Sequence, residues 1–107
     1  MEFKDIIKKA EEIQDAYNKL NAEKNQTKWG ASEYVQGLVG DVGDLTKLVM
    51  AKNNLRSGEN VDEKLKHEIS DCLWAIIIIS KELHIDLEKE FITTMDSLKQ
   101  RIETEGH

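Results

Sequence analysis

Two pairs of carboxylates, Asp41 with Asp44 and Glu68 with Asp71, interrupt stretches whose other residues follow a helical hydrophobic pattern. At a helical advance of about 100° per residue, with Leu38 at zero, Leu48, Tyr34, Leu45, Val49, Val42 and Val35 fill an arc from roughly −80° to +60°. Asp41 falls inside that arc at about −60° and Asp44 at its rim at about −120°. In the second stretch, with Leu65 at zero, Glu68 and Asp71 take the same two offsets, about −60° and −120°, beside Ile79, Ala75 and Ile78. An ionised carboxylate in an apolar arc is costly unless it is paired or coordinates a cation, and several converging without a cation repel one another. No Lys or Arg occupies either arc nearby. If the two segments pack antiparallel, the four acids face one another as an all-oxygen site, which suits Mg²⁺, or alternatively Mn²⁺, rather than zinc. Glu68 is followed three residues later by Asp71 and not by histidine, so the Glu-x-x-His element of di-iron bundles is absent.

The elements that must position these acids read as four helices. The chain has no proline and only six glycines, which removes most of the vocabulary of turns. Phe3, Ile6, Ile7, Ala10, Ile13, Tyr17 and Leu20 recur at three- and four-residue steps and predict a first amphipathic helix, followed by a polar stretch from Asn21 to Lys28. A second helix is expected after Gly30, with Ser32 as N-cap, running to about Lys52. The loop Asn53 to Asn60 contains Ser57-Gly58, and Asn60 followed by Glu63 has the spacing of a capping box for a third helix ending near Leu83. Its segment Cys72 to Ile79 is rich in β-branched residues, but the flanking helical pattern overrides that local preference. Asp86 should cap a fourth helix with Leu87, Phe91, Met95, Leu98 and Ile102 on one stripe and a frayed tail from Glu103 to His107. The expectation is an all-α, antiparallel four-helix bundle. Because the third helix is apolar all round, four short helices do not cover it unaided, and a homodimer or homotetramer is expected.

A length of 107 residues predicts one domain spanning 1–107. Hydrophobic residues at 39% and charged ones at 34% predict a soluble globule, and the longest apolar run is far shorter than the roughly 20 residues of a membrane span. A net charge of −6 argues against a nucleic-acid polymer as partner and leaves room for a small anion held through a metal ion. The single cysteine, Cys72, lacks the neighbours of a zinc site and points to a reducing, cytoplasmic compartment.

Asp41-x-x-Asp44 followed by Glu68-x-x-Asp71 resembles the ExxE…ExxD signature of the MazG-like, all-α nucleoside triphosphate pyrophosphohydrolases. Leu38-Val39-Gly40-Asp41-Val42-Gly43-Asp44-Leu45 looks like the LVGEVGEL stretch of their dCTP pyrophosphatase branch, and Glu68-Ile69-Ser70-Asp71 like its ELSD. His84-Ile85-Asp86-Leu87, Met95-Asp96 and Gln100-Arg101 echo that branch, so the likeness runs from about Trp29 to Arg101. It departs in the Asp/Asp first pair, one methylene shorter on each arm, and in Thr94 and Leu98, which stand where related enzymes often carry Lys and Asn. The resemblance implies hydrolysis of a nucleoside triphosphate between the α- and β-phosphates, with Mg²⁺ on Asp41, Asp44, Glu68 and Asp71. The ion would neutralise phosphate oxygens and activate a water, with Asp41 or Glu68 as the acid that orients or deprotonates it.

Other residues carry further expectations. Trp29 and Trp74 are placed to stack on a base, against structural roles as a hydrophobic staple and a core residue respectively. Lys99 and Arg101 are candidates to neutralise a phosphate chain, against a role as solvated surface charges. His67 should point off the metal face, His84 should meet the dipole at the end of the third helix, and Cys72 reads as a core residue. Gly40 and Gly43 inside a helix suggest close approach of another backbone or a ligand. Two other readings are a phosphoribosyl-ATP pyrophosphohydrolase, against which the LVGEVGEL-like stretch argues, and a catalytically silent helical module that binds metal weakly.

Overall fold

In a computed structural model, which describes residues 1–54 and 58–105, the chain forms four helices and, among the described residues, no strand. They are α1 (Phe3–Glu23), α2 (Ala31–Lys52), α3 (Val61–Glu82) and α4 (Leu87–Glu105). The β-branched Cys72 to Ile79 segment is helical, because packing of a long amphipathic element outweighs a local strand preference. Ser57 of the expected Ser57-Gly58 loop and the last two residues of the expected frayed tail lie outside the described residues. Within that tail, 103–105 continue α4.

The helix ends explain how a chain without proline changes direction. In α1 the amide of Asn25, at φ 56°, donates to Ala22 O and that of Gln26 to Asn21 O. In α3 the amide of His84, at φ 57°, donates to Lys81 O and that of Ile85 to Ser80 O. Both are Schellman closures, with Asn and His taking the left-handed position that glycine usually fills. Asp86 caps α4 as expected, its Oδ1 accepting from the amide of Lys89 at 3.2 Å. Two expected caps differ, although α3 starts after Asn60 as expected. The cap of α2 is Gly30, whose amide donates to Glu33 Oε1 at 2.7 Å, so Ser32 lies inside the helix. Asn60 precedes α3 at φ 53°, and its side chain makes no capping bond, because the left-handed backbone turns it away from the first-turn amides.

The main packing unit is the α2–α3 hairpin. Its antiparallel sense follows from three contacts in reverse register: Tyr34 against Trp74, Asp41 against Glu68, and Lys52 Nζ to Asp62 Oδ1 at 2.6 Å next to the connection. The helix α1 lies across α3 with Ala10, Tyr34, Ile77 and Ile78 as the shared core, and Ile7, Trp74, Ile79 and Leu87 pack around it. Fully buried Gln14 ties this junction together. Its Nε2 donates to Glu82 Oε1 at 2.6 Å and to the Tyr34 hydroxyl at 3.4 Å, while Lys81 Nζ donates to its Oε1 at 2.8 Å.

Much apolar surface stays uncovered. Val35, Val39, Val42 and Val49 of α2, Ile69, Leu73, Ile76 and Leu83 around α3, and Phe91, Ile92, Met95 and Ile102 of α4 are all exposed. The accessible surface is 8392 Å², against about 6,100 Å² expected of a compact monomer of this mass. The radius of gyration is 17.2 Å, against about 13 Å for a compact chain of this length. No described helix is long and apolar enough to cross a membrane.

Candidate metal and nucleotide site

The hairpin register carries Asp41 and Asp44 of α2 to Glu68 of α3. Each contributes one carboxylate oxygen to a group whose atoms all lie within 4.8 Å of one another. Asp41 and Glu68 are half-buried and Asp44 is exposed. Asp71, expected as a fourth ligand, stands outside this closest group. It is half-buried one turn further along α3, and His67 Nε2 lies 3.1 Å from its Oδ2. His67 is therefore on the acidic side of α3 and not turned off it, because a four-residue step returns a side chain to the same face.

Burial, then the Asp41 carboxylate, which also shares a hydrogen bond with it, and then Asp44 and Asp71 hold the Glu68 carboxyl above the ordinary range. None of Asp41, Asp44 or Glu68 has a Lys or Arg nitrogen within 4 Å among the described residues. Converging oxygen donors with an unmet negative charge suit a hard divalent cation. Burial first, with help from Asp41, Glu68 and Asp71, also raises the pKa of the buried Cys72 thiol, which fits a packing role and not a nucleophilic one.

Beside the acids opens a cavity of about 630 Å³, within the size range of small-molecule sites. Tyr17, Trp29, Tyr34 and Trp74 line it together with Asp41 and Asp71. The rings meet edge to face, with centroids 5.9 Å apart for Tyr17 and Trp74, 5.5 Å for Trp29 and Tyr34, and 5.7 Å for Tyr34 and Trp74. Trp74 Nε1 donates to Ala10 O at 3.0 Å, which fixes the indole, so this residue serves the core and the cavity together. Lys99 and Arg101 are exposed on α4 and line neither this cavity nor the second one beside the acids. The helix that carries them contributes Leu87, in its first turn, to the packing around the core. Gly40 and Gly43 face open space within the chain, so no close approach by another part of it explains them.

The contribution of α1 to this cavity, through Ile13, Tyr17 and Asn21, is not apparent from the motifs. One signal was available. With Ala10 at zero, Gln14 falls at about +40°, inside the apolar arc of α1, so it is a polar residue placed where only a hydrogen-bonded one is tolerated.

Comparison with known proteins adds one likeness. The chain is 32% identical over 69 residues to dCTP pyrophosphatase 1 of Rattus norvegicus, a match covering 60% of this chain and 41% of that protein. The Mus musculus protein of the same name matches to the same extent. The chain is similar to dCTP pyrophosphatase 1. That likeness agrees with the branch named from the motifs. The chain spans about two fifths of the length of these relatives, 41%. No protein-family model matches the chain, and no solved structure does.

Proposed function

We propose that this chain is a divalent-metal-dependent nucleotide pyrophosphohydrolase, which cleaves a nucleoside or deoxynucleoside triphosphate between the α- and β-phosphates. The observation that carries the reading is the convergence of Asp41, Asp44 and Glu68 beside an aromatic cavity of nucleoside size. The likeness to proteins named dCTP pyrophosphatase 1 supports the same chemistry. Asp41, Asp44, Glu68 and Asp71 would hold Mg²⁺, with Mn²⁺ as a substitute. The ion, when bound, neutralises phosphate charge and makes a water more acidic.

In this reading Trp29 and Trp74 flank the base, and Asp41 and Asp71 meet the sugar end of the phosphate chain. Asp41 or Glu68 orients a water on the α-phosphorus and takes its proton. The raised carboxyl pKa of Glu68 makes it a stronger proton acceptor than an ordinary carboxylate. As the water oxygen bonds to the α-phosphorus, the bond from that phosphorus to the bridging oxygen breaks. Pyrophosphate leaves with the electron pair and a monophosphate remains. Cleavage of free nucleotides fits a role in keeping the nucleotide pool clean, in the reducing cytoplasmic setting that Cys72 suggests.

The working form is a homodimer or homotetramer, with residues 1–107 as one folded unit of it. The chain's accessible surface exceeds that of a compact monomer by about 2,300 Å², enough for a stable interface. The valine stripe of α2 and the Ile69, Leu73, Ile76 stripe of α3 flank one another on the hairpin and would cover the same stripes of a second copy. Gly40 and Gly43 would let that copy approach closely.

The test is release of pyrophosphate and monophosphate from a panel of triphosphates, with Mg²⁺ or Mn²⁺, with a chelator, and with Glu68→Gln. Metal-dependent release that Glu68→Gln lowers by about 10² to 10⁴ is expected. Absence of both turnover and divalent-ion binding would move the assignment to the silent helical module.

A further inference from the structure

The acidic group faces two cavities. Asp41 lines the aromatic one, whereas Asp44 and Glu68, whose oxygens lie within 4.8 Å of it, line a second of about 470 Å³. The second is bordered by Lys47, Lys64 and His67. Lys47 follows Asp44 by three residues on α2 and Lys64 precedes Glu68 by four on α3, so each lysine shares a helix face with an acid of the site; this corrects the expectation that no lysine lies near either arc, since Lys64 falls at about −100° from Leu65, between Glu68 and Asp71. The antiparallel register sets the two lysines across from one another, between the Asp41–Glu68 level and the Lys52–Asp62 pair. Other lysines of the hairpin are committed to carboxylates: Lys52 to Asp62 at 2.6 Å, Lys66 to Glu63 at 3.1 Å and Lys81 to Glu11 at 3.5 Å. Among the described residues, Lys47 and Lys64 have no carboxylate within 4 Å, although the cavity they border is itself lined by acids. With Asp44, Glu63 and Glu68 the lining carries three carboxylates against two uncommitted ammonium groups, so the polyanion it suits is one that arrives with its divalent ion, the acids holding the ion and the lysines the anion.

We infer that this second cavity is the seat of the β,γ-diphosphate tail and of the departing pyrophosphate, held by Lys47 and Lys64. The inference rests on the function proposed above and adds a direction to it. The nucleoside lies among the aromatic rings, the α-phosphorus over the carboxylates, and the tail between the lysines. That order puts the α,β-bridge at the boundary of the two cavities, which is why the chain is cut there and not between the β- and γ-phosphates. Lysine suits the task because a compact ammonium on a flexible stem follows a leaving group as it departs.

The experiment measures binding of Mg²⁺-pyrophosphate and, separately, of a nucleoside monophosphate by calorimetry. It compares the wild type, Lys47→Gln/Lys64→Gln, Lys47→Arg/Lys64→Arg, and a charge-matched control on exposed α1 positions, Lys8→Gln/Lys19→Gln. The glutamine double variant should bind pyrophosphate about tenfold or more weakly, as expected when hydrogen bonds to a charged group are lost, with monophosphate affinity unchanged. The arginine variant and the α1 control should keep wild-type pyrophosphate affinity. Unchanged pyrophosphate binding in the glutamine variant would overturn the inference, as would an equal loss in the control or no binding by the wild type. Because these are equilibrium measurements, failure of every triphosphate to turn over would refute the proposed function and leave this comparison to stand on its own.

Discussion

Glu68 is the residue on which stability and the proposed chemistry meet. Its carboxyl pKa is raised in the folded chain by burial and by Asp41, Asp44 and Asp71, so the folded state holds that proton more tightly than the unfolded state does. The stability it contributes is therefore fully present below the ordinary carboxyl pKa and is lost as pH rises through the raised folded value. Thermal melts of metal-free protein should show this fall just above the ordinary carboxyl range. Glu68→Gln should remove it, and raise the metal-free Tm near neutral pH, while Mg²⁺ should stabilise the wild type more than the variant. Turnover of Glu68→Gln should drop by about 10² to 10⁴, the usual worth of a positioned acid or base. Cys72 is buried with its thiol pKa pushed up, so a thiol reagent should modify it slowly in native protein and at once in denaturant. At this scale the acids were legible because a charge inside an apolar arc needs a reason. What the helical wheel does not supply is depth along the axis. That is why Asp71, at the same offset as Asp44, stands off the closest group and meets His67.

Helix boundaries were legible for α2 and α3 to within about a residue, because glycine or asparagine punctuates an otherwise unbroken pattern. Their caps were less so. Whether Gly30 or Ser32 begins α2 depends on where the Glu33 carboxylate folds back, which spacing leaves open. The Gln14 junction is the element-scale feature that sequence motifs leave out, since its partners Tyr34, Lys81 and Glu82 come from two other helices. Replacing Gln14 by Ala takes a partner from the buried Tyr34 hydroxyl and removes the bonds to half-buried Glu82 and exposed Lys81, and should cost about 1–3 kcal/mol in urea unfolding. Ile78→Ala, at a side chain with no exposed surface, should cost about 2–5 kcal/mol. Both changes should loosen α1 and so weaken nucleotide binding, because Tyr17 and Trp74 share the wall that α1 completes.

The molecule as a whole is too open for its length, with a radius of gyration of 17.2 Å and apolar stripes on α2, α3 and α4 left uncovered. The all-round hydrophobicity of the third helix pointed to this from sequence alone, whereas which faces stay open depends on how far α1 and α4 reach. Sedimentation at micromolar concentration should give a dimer or tetramer, and Leu73→Lys with Ile76→Lys should shift it to a smaller species; a monomeric wild type would count against the assembly. The central claim is attack on the α-phosphorus at the carboxylate cluster. Its most direct measurement is hydrolysis of a triphosphate with Mg²⁺ in heavy-oxygen water, with the products weighed by mass spectrometry. One heavy oxygen in the nucleoside monophosphate and none in pyrophosphate is the predicted result. Label in pyrophosphate or in orthophosphate, or no release by a protein that binds the ion, would contradict it.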